Sequence, residues 1–196
     1  MNRTGTQRIE TDRLILRRFA AGDAEDMYDC WASDPEVTKF LTWPAHSSVE
    51  VSRMLLSDWV SRYEDGSFFN WAIEWKENGR VIGNISVVRI SEPINEAEIG
   101  YCMGRAYWGK GIMPEALKAV MGYLFDAADF NRLAAGHDVN NPKSGRVMEK
   151  AGMRTEGILR SAGKNNQGIC DVVLHSMLKS DWRKKEPAAK ASEVPV

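Results

Sequence analysis

Residues 97–128 place the tightest constraint on the chain. The apolar run 99–103 reads as a strand, meets a turn containing Gly104, Gly109 and Gly111, and gives way at Met113 to a helical repeat through Leu117, Val120, Met121, Leu124 and Phe125. The order is strand, glycine loop, helix. A helix begun in this way leaves its first N–H groups without partners and aims them, with the positive end of the helix dipole, at whatever lies in front of the loop. An anion is the natural guest. Glycines at 109 and 111 remove the Cβ atoms that would hold a phosphate off the backbone, and Pro114 falls in the first turn, where its missing N–H costs no hydrogen bond.

A chain of 196 residues fits one domain with a sizeable core, expected over residues 1–182 with 183–196 as a disordered tail that has nothing to bury. Lysine plus arginine number 26 against 27 aspartate plus glutamate, so the basic footprint that dominates DNA binding is missing. The first residues lack a signal-type apolar region and no run approaches the roughly 20 apolar residues of a membrane span, which predicts a cytoplasmic protein without a membrane partner. Cys30, Cys102 and Cys170 are odd in number and widely spaced, and His46, His137 and His175 are scattered, so neither a disulfide framework nor a metal site is expected.

The remaining segments predict a mixed α/β (α+β) fold in a single domain. Leu14 and Leu16 alternate with polar positions in a first strand over 9–19; Ala24, Met27, Tyr28 and Trp31 mark a helix over 23–33, and a short helix follows over 35–41. Ser47 and Glu50 offer a capping box to a helix reaching residue 63, with Val51, Met54 or Leu55, Trp59 and Tyr63 on its inner face. Asn78-Gly79 closes a hairpin between strands 68–75 and 81–90. Strands at 96–103, 133–139, 154–161 and 169–178 and a helix over 143–151 complete a central sheet of about seven strands flanked by helices.

Two better-known phosphate loops are excluded. Gly104 to Lys110 nearly matches G-x-x-x-x-G-K-[ST], but Gly111 replaces the hydroxyl residue that binds magnesium. No glycine closes G-x-G-x-x-G at Pro114 or Glu115, and no opening βαβ unit precedes the loop. What remains is a diphosphate held mainly by main-chain amides. Tyr107-Trp108-Gly109-Lys110-Gly111 followed by Pro114-Glu115-Ala116-Leu117 resembles the acyl-CoA pyrophosphate loop of the GNAT N-acetyltransferase superfamily, and within it the RimJ/RimL-like ribosomal-protein N-acetyltransferases. Thr11 to Arg17 is similar to that family's opening strand, Glu98-Ile99-Gly100-Tyr101 to its central strand, and Asn141-Pro142-Lys143-Ser144 with Glu149 to Met153 to its late motif. Ala106 departs from the pattern, since the wider superfamily has Gln or Arg there.

The resemblance implies a sheet splayed between its fourth and fifth strands, with acetyl-CoA as cosubstrate and no metal. It implies Tyr101, Cys102 and Met103 along the pantetheine and acyl group, Trp108, Gly109, Lys110, Gly111, Ile112, Met113 and Pro114 around the pyrophosphate, and Asn141 and Ser144 near the sulfur. The acceptor it implies is an amine, on a protein N-terminus or a small molecule, and a homodimer is one assembly left open. At pH 7 the loss of a proton costs about 1.4 kcal/mol for an α-amine against about 4.6 for lysine, which favours an N-terminus. Glu98 is the candidate base acting through water, and Ser144 the candidate acid, because Met148 stands where the superfamily has a tyrosine. A further family carboxylate falls at Gly163. Cys102 is expected to be a structural thiol, Asp171 a structural hydrogen-bond acceptor, and Trp43 a core residue or a wall of the acceptor groove. Direct transfer to a small-molecule amine and a non-catalytic acyl-CoA-binding module are the rival readings.

Overall fold

The computed structural model describes residues 1–185. Two strands, β1 (Ile9–Glu10) and β2 (Leu14–Arg17), open the chain. They are followed by α1 (Ala24–Met27), a π-helical turn over Tyr28–Ala32, α2 (Pro35–Thr38) and α3 (Val49–Arg62). The hairpin β3 (Asn70–Trp75) and β4 (Val81–Ser91) leads to β5 (Glu96–Met103) and α4 (Ile112–Asp126). The chain ends in β6 (Arg132–Asp138), α5 (Pro142–Lys150), β7 (Arg154–Asn165), β8 (Gly168–Leu178) and α6 (Lys179–Lys185). All eight strands form one sheet in the order β1-β2-β3-β4-β5-β6-β8-β7.

Every neighbouring pair is antiparallel except β5 and β6, which run parallel and touch only at Glu96↔Arg132, Ala97↔Leu133 and Glu98↔Ala134. Beyond those pairs the strands part. Ile99 to Met103 keep β4 on one side and lose a strand on the other, while the rest of β6 stays with β8. The β4–β5 register slips between Val87 and Arg89, beside the point where the β5–β6 pairing ends, and a bulge of this kind bends and twists its strand. The predicted splay is therefore present between the strands at 96–103 and 132–138.

Side chains at the closed end of this V form a chain of charges. Arg132 gives its Nε to buried Glu96 and its Nη1 to Glu156 at 2.7 Å, and Ser176 donates to the same Glu156 at 2.6 Å. Arg89 of β4 reaches Glu98 at 2.9 Å and Glu96 at 3.4 Å. Five strands are thereby tied together where β5 and β6 still pair.

Alternation along β5 sends Ala97, Ile99 and Met103 into the core under α4, and Cys102 towards the opposite layer of α1 to α3. In α4 the residues read from sequence as its inner stripe, Leu117, Val120, Met121, Leu124 and Phe125, are all fully buried. Trp31 and Trp71 are core residues, and Trp43 and Trp59 are partly buried at the edge of the second cluster.

Several local expectations need correction. The first strand is broken at 11–13 because the Thr11 N–H turns back to the Leu14 carbonyl at 3.0 Å, which makes β1 and β2 a tight hairpin and gives eight strands instead of about seven. The helix over 23–33 is a composite whose last turn widens, with Ser33 N–H bonding Tyr28 O at 3.2 Å, and α2 stops at Thr38. The α3 capping box does not form: Ser48, not Ser47, is the cap residue, and its side chain makes no cap bond. On α3, Leu55 and Trp59 pack inward and Tyr63 is buried as expected, with Ser52 and Leu56 beside them, whereas Met54 is 68 % exposed. Ser52 is tolerated inside because its hydroxyl pairs with His46 Nδ1 at 2.8 Å. Helix α6 runs past Trp182; the rest of the expected disordered tail lies outside the described residues. Among the described residues no helix is long and apolar enough to cross a membrane.

The closed-end network sets a pH dependence. Hydrogen bonds from Arg132 and Ser176 hold the Glu156 carboxyl at about 2, below its ordinary value of 4.5. A depressed carboxylate stabilises the fold above its ordinary range, and that contribution is lost as pH falls through the interval down to about 2. Urea midpoints measured across this interval are expected to fall more steeply for the unmodified protein than for Glu156→Gln.

Candidate functional site

The glycine loop starts where β5 ends. A single 3-10 turn over Arg105–Tyr107 is followed by Trp108, whose indole Nε1 donates to Met103 O at 2.7 Å and pins the loop to the strand it leaves. Gly109 and Gly111 take φ values of +76° and +73°, a region costly for any side chain with a Cβ. A Cβ at Gly109 would meet nothing within 4 Å, and one at Gly111 only the tip of Arg13 at 3.7 Å, so these glycines border open space. The first hydrogen bond of the helical series is from Glu115 N–H to Gly111 O at 3.3 Å. Among the described residues, no main-chain carbonyl accepts from the N–H groups of Gly109, Lys110, Gly111, Ile112 or Met113. Lys110 lies over the Tyr107 ring at 5.5 Å and Lys143 over the Trp108 ring at 5.3 Å, adding positive charge beside these amides. Five donors, two flanking ammonium groups and a helix N-terminus suit a diphosphate.

The open arm of β5 forms one wall of the adjoining cleft and α5 the other. Asn141 precedes Pro142 at the N-terminus of α5, and Ser144 N–H bonds back to its carbonyl at 3.0 Å. Ser144 does not cap this helix with its side chain. Its hydroxyl instead shares a hydrogen bond with the Tyr101 hydroxyl at 3.0 Å, and Tyr101 also donates to the Ser144 carbonyl at 3.0 Å. Burial pushes the Tyr101 hydroxyl well above the ordinary tyrosine range, so it remains a donor at any ordinary pH. Met103 points into the core and meets the cleft through its main chain, while burial pushes the Cys102 thiol up to about 12, which makes it a poor nucleophile.

Glu98 lies on the other face of β5, partly exposed and paired with Arg89. The structure thus joins Tyr101, Ser144 and Asn141 on the α4–α5 side of the V, and places Glu98 and Cys102 on the side of α1 to α3. Asp171 accepts from the Ser161 N–H at 2.8 Å and holds the β7 bulge. Among the described residues no cluster of three or more His, Cys, Asp or Glu side chains is arranged to hold a metal ion.

Sequence reading missed three supports of the site. Arg13 of the opening hairpin donates to Glu115 and to Lys110 O in the loop. Asp138, at the end of β6, is buried but collects bonds from Asn140 N–H at 2.8 Å and Asn165 Nδ2 at 2.7 Å; burial pushes its carboxyl up, and these bonds more than offset that and hold it below the usual range. Asn166, at the tip of the β7–β8 hairpin, donates its N–H to Leu41 O at 3.1 Å and its Nδ2 to Thr38 O and Trp43 O at 2.8 and 2.7 Å. The hairpin tip is thereby fastened to the loop that carries Trp43, beside the ring of His46. The run Asn165-Asn166-Gln167-Gly168 has residues that favour a turn, but nothing in the sequence signals what it docks on.

The family model described as an acetyltransferase (GNAT) domain matches residues 13–154. The chain is 32 % identical over 174 residues to the uncharacterized N-acetyltransferase p20 of Bacillus licheniformis, covering 89 % of this chain and 97 % of that protein. It is 28 % identical to the ribosomal protein uS5-alanine N-acetyltransferase of Escherichia coli, covering 89 % and 92 % of the two chains. The microcin C7 self-immunity acetyltransferase, solved with acetyl-CoA and AMP, shares the fold at a TM-score of 0.78 and 24 % identity over 86 % of this chain and 93 % of that one.

Asn166→Ala removes two of the three bonds that fasten the hairpin tip. Hydrogen exchange at the residue 166 amide is expected to speed up by about tenfold or more, while the melting temperature falls by only about 2–4 °C. An unchanged exchange rate would show that the tip is held by other contacts.

Proposed function

Because the chain belongs to the GNAT acetyltransferase family, whose model spans residues 13–154, we propose that it transfers acetyl from acetyl-CoA directly to an α-amine at the N-terminus of a protein or peptide. One observation carries this reading: a row of unpaired loop amides at 109–113 leads straight into the cleft between the open arm of β5 and Ser144. Acetyl-CoA brings the diphosphate that such a row suits and a thioester whose carbonyl carbon an amine can attack.

In this reading the loop amides, Lys110 and Lys143 hold the diphosphate, and the open edge of β5 over 99–103 presents main-chain groups to the pantetheine amides, as a strand edge does to a peptide. The donor approaches from the α4–α5 side and the amine from the side of α1 to α3, meeting at the gap. There Glu98 takes the amine proton through water, the C–N bond forms, the C–S bond breaks, and Ser144 gives its hydroxyl proton to the departing thiolate. Trp43, held by Asn166, stands at the rim of the amine side. The α-amine is favoured over lysine because about 3 kcal/mol less is spent in deprotonating it at neutral pH. The uS5-alanine enzyme among the relatives supports an N-terminal acceptor.

Three experiments test this. CoA release measured across N-terminal peptides, lysine peptides and small amines should favour the N-terminal peptides; turnover restricted to small amines would transfer the assignment to a small-molecule acetyltransferase. Ser144→Ala should lower kcat by roughly 10–100-fold with KM for acetyl-CoA nearly unchanged, the signature of a group that acts on the reacting atoms. Gly109→Val and Gly111→Val should remove CoA binding in calorimetry with the circular-dichroism spectrum retained, and full affinity in both would discard the loop as the diphosphate site.

A further inference from the structure

The amides of the loop must point at the ligand before it arrives, and something outside the loop has to hold them there. The peptide joining Lys110 to Gly111 shows what does. Its carbonyl accepts from Arg13 Nη1 at 3.0 Å. The bond is trans, so C=O and N–H lie on opposite sides of the peptide plane. Drawing the Lys110 carbonyl towards Arg13 turns the Gly111 N–H the other way, out of the loop.

Arg13 is itself braced. Its Nε and Nη2 grip Glu115 at 2.7 and 2.6 Å, its own N–H donates to the same carboxylate at 3.1 Å, and the Thr11 hydroxyl adds a bond at 2.6 Å. The guanidinium lies over Trp75 at 5.8 Å, and Trp75 packs against Tyr107 of the loop. Glu115 sits in the first turn of α4, where a carboxylate would repel an incoming diphosphate. Burial pushes its carboxyl up, but the bonds from Thr11 and Arg13 outweigh that and keep it ionised, with the guanidinium cancelling the charge. A lysine could supply the charge but not three bonds in two directions.

From this geometry we infer that Arg13, braced by Glu115 and Thr11, is a positioning residue for diphosphate binding: it turns the Gly111 amide towards the ligand and neutralises the carboxylate beside it. The inference rests on the reading of the loop as a diphosphate site. It assigns a role in the ligand site to the β1–β2 turn, which lies about a hundred positions earlier in the chain than the loop it sets.

NMR titrations with CoA, which carries the diphosphate, and with pantetheine, which lacks it, separate the possibilities. In the unmodified protein CoA should shift the amide signals of residues 109–113. Arg13→Ala should weaken CoA binding by tenfold or more and abolish the CoA-induced shift at Gly111, while the pantetheine Kd stays within twofold. Arg13→Lys, a milder change should the alanine variant not fold, should weaken CoA selectively in the same way. Equal loss of affinity for both probes would reduce Arg13 to a general structural role and overturn the inference, as would unchanged CoA affinity. If CoA left the 109–113 amides of the unmodified protein unshifted, the diphosphate reading itself would fall, and the inference with it.

Discussion

Three residue pairs between two parallel strands govern the rest of this molecule. Because β5 and β6 touch only at their first residues and then separate, five residues of β5 are left with a strand on one side alone. In most sheets such an exposed edge is a liability that must be covered. Here the edge runs directly into a loop whose amides are also unpaired, so two sets of main-chain groups without a strand or helix partner adjoin one another, separated only by the Met103 carbonyl that Trp108 holds. A long, amide-bearing, phosphorylated ligand is the kind of molecule that can satisfy both at once.

An opening of this kind can survive only if its closed end is held. The Arg132 guanidinium does this by bridging Glu96 and Glu156, and Arg89 extends the chain of charges to Glu98. The same principle returns at the loop, where Arg13 bridges a carboxylate and a carbonyl. In both places a planar guanidinium satisfies acceptors from two different elements, as its fixed fork of donors allows. The far rim is fastened differently, by neutral amides of Asn165 and Asn166 at the tip of the β7–β8 hairpin. The cleft is therefore bounded by three sets of polar contacts, each outside the apolar core.

Much of this was legible in the residues themselves. The order of strand, glycine loop and helix over 97–128, the turn at Asn78-Gly79 and the stripe Leu117, Val120, Met121, Leu124 and Phe125 follow from local periodicity and turn chemistry, and each stands where it was expected. Where local signals were weak the reading slipped. On α3 a polar Ser52 faces inward because His46 satisfies it, and no periodicity count can see a partner six residues away in a loop. The first strand broke because Thr11 and Arg13 turn aside to bond Leu14 and Glu115, an attraction invisible within the strand's own pattern.

Most of the elements and the backbone chemistry of the loop follow from the residues alone, because helix, strand and turn preferences are settled largely among near neighbours, and so is the need for glycine at a left-handed position. Family resemblance supplied the expected splay and pointed to Ser144, while Glu98 stood out as a carboxylate at the start of the strand that leads into the loop. The packing of whole elements set the rest: Ser144 meets the Tyr101 hydroxyl, Glu98 pairs with Arg89 on the opposite face, and Arg13 reaches the Lys110 carbonyl far away in the chain. Such contacts depend on where whole elements come to rest on one another, and a hydrogen bond a few ångströms long leaves no periodic trace in the residues on either side of it.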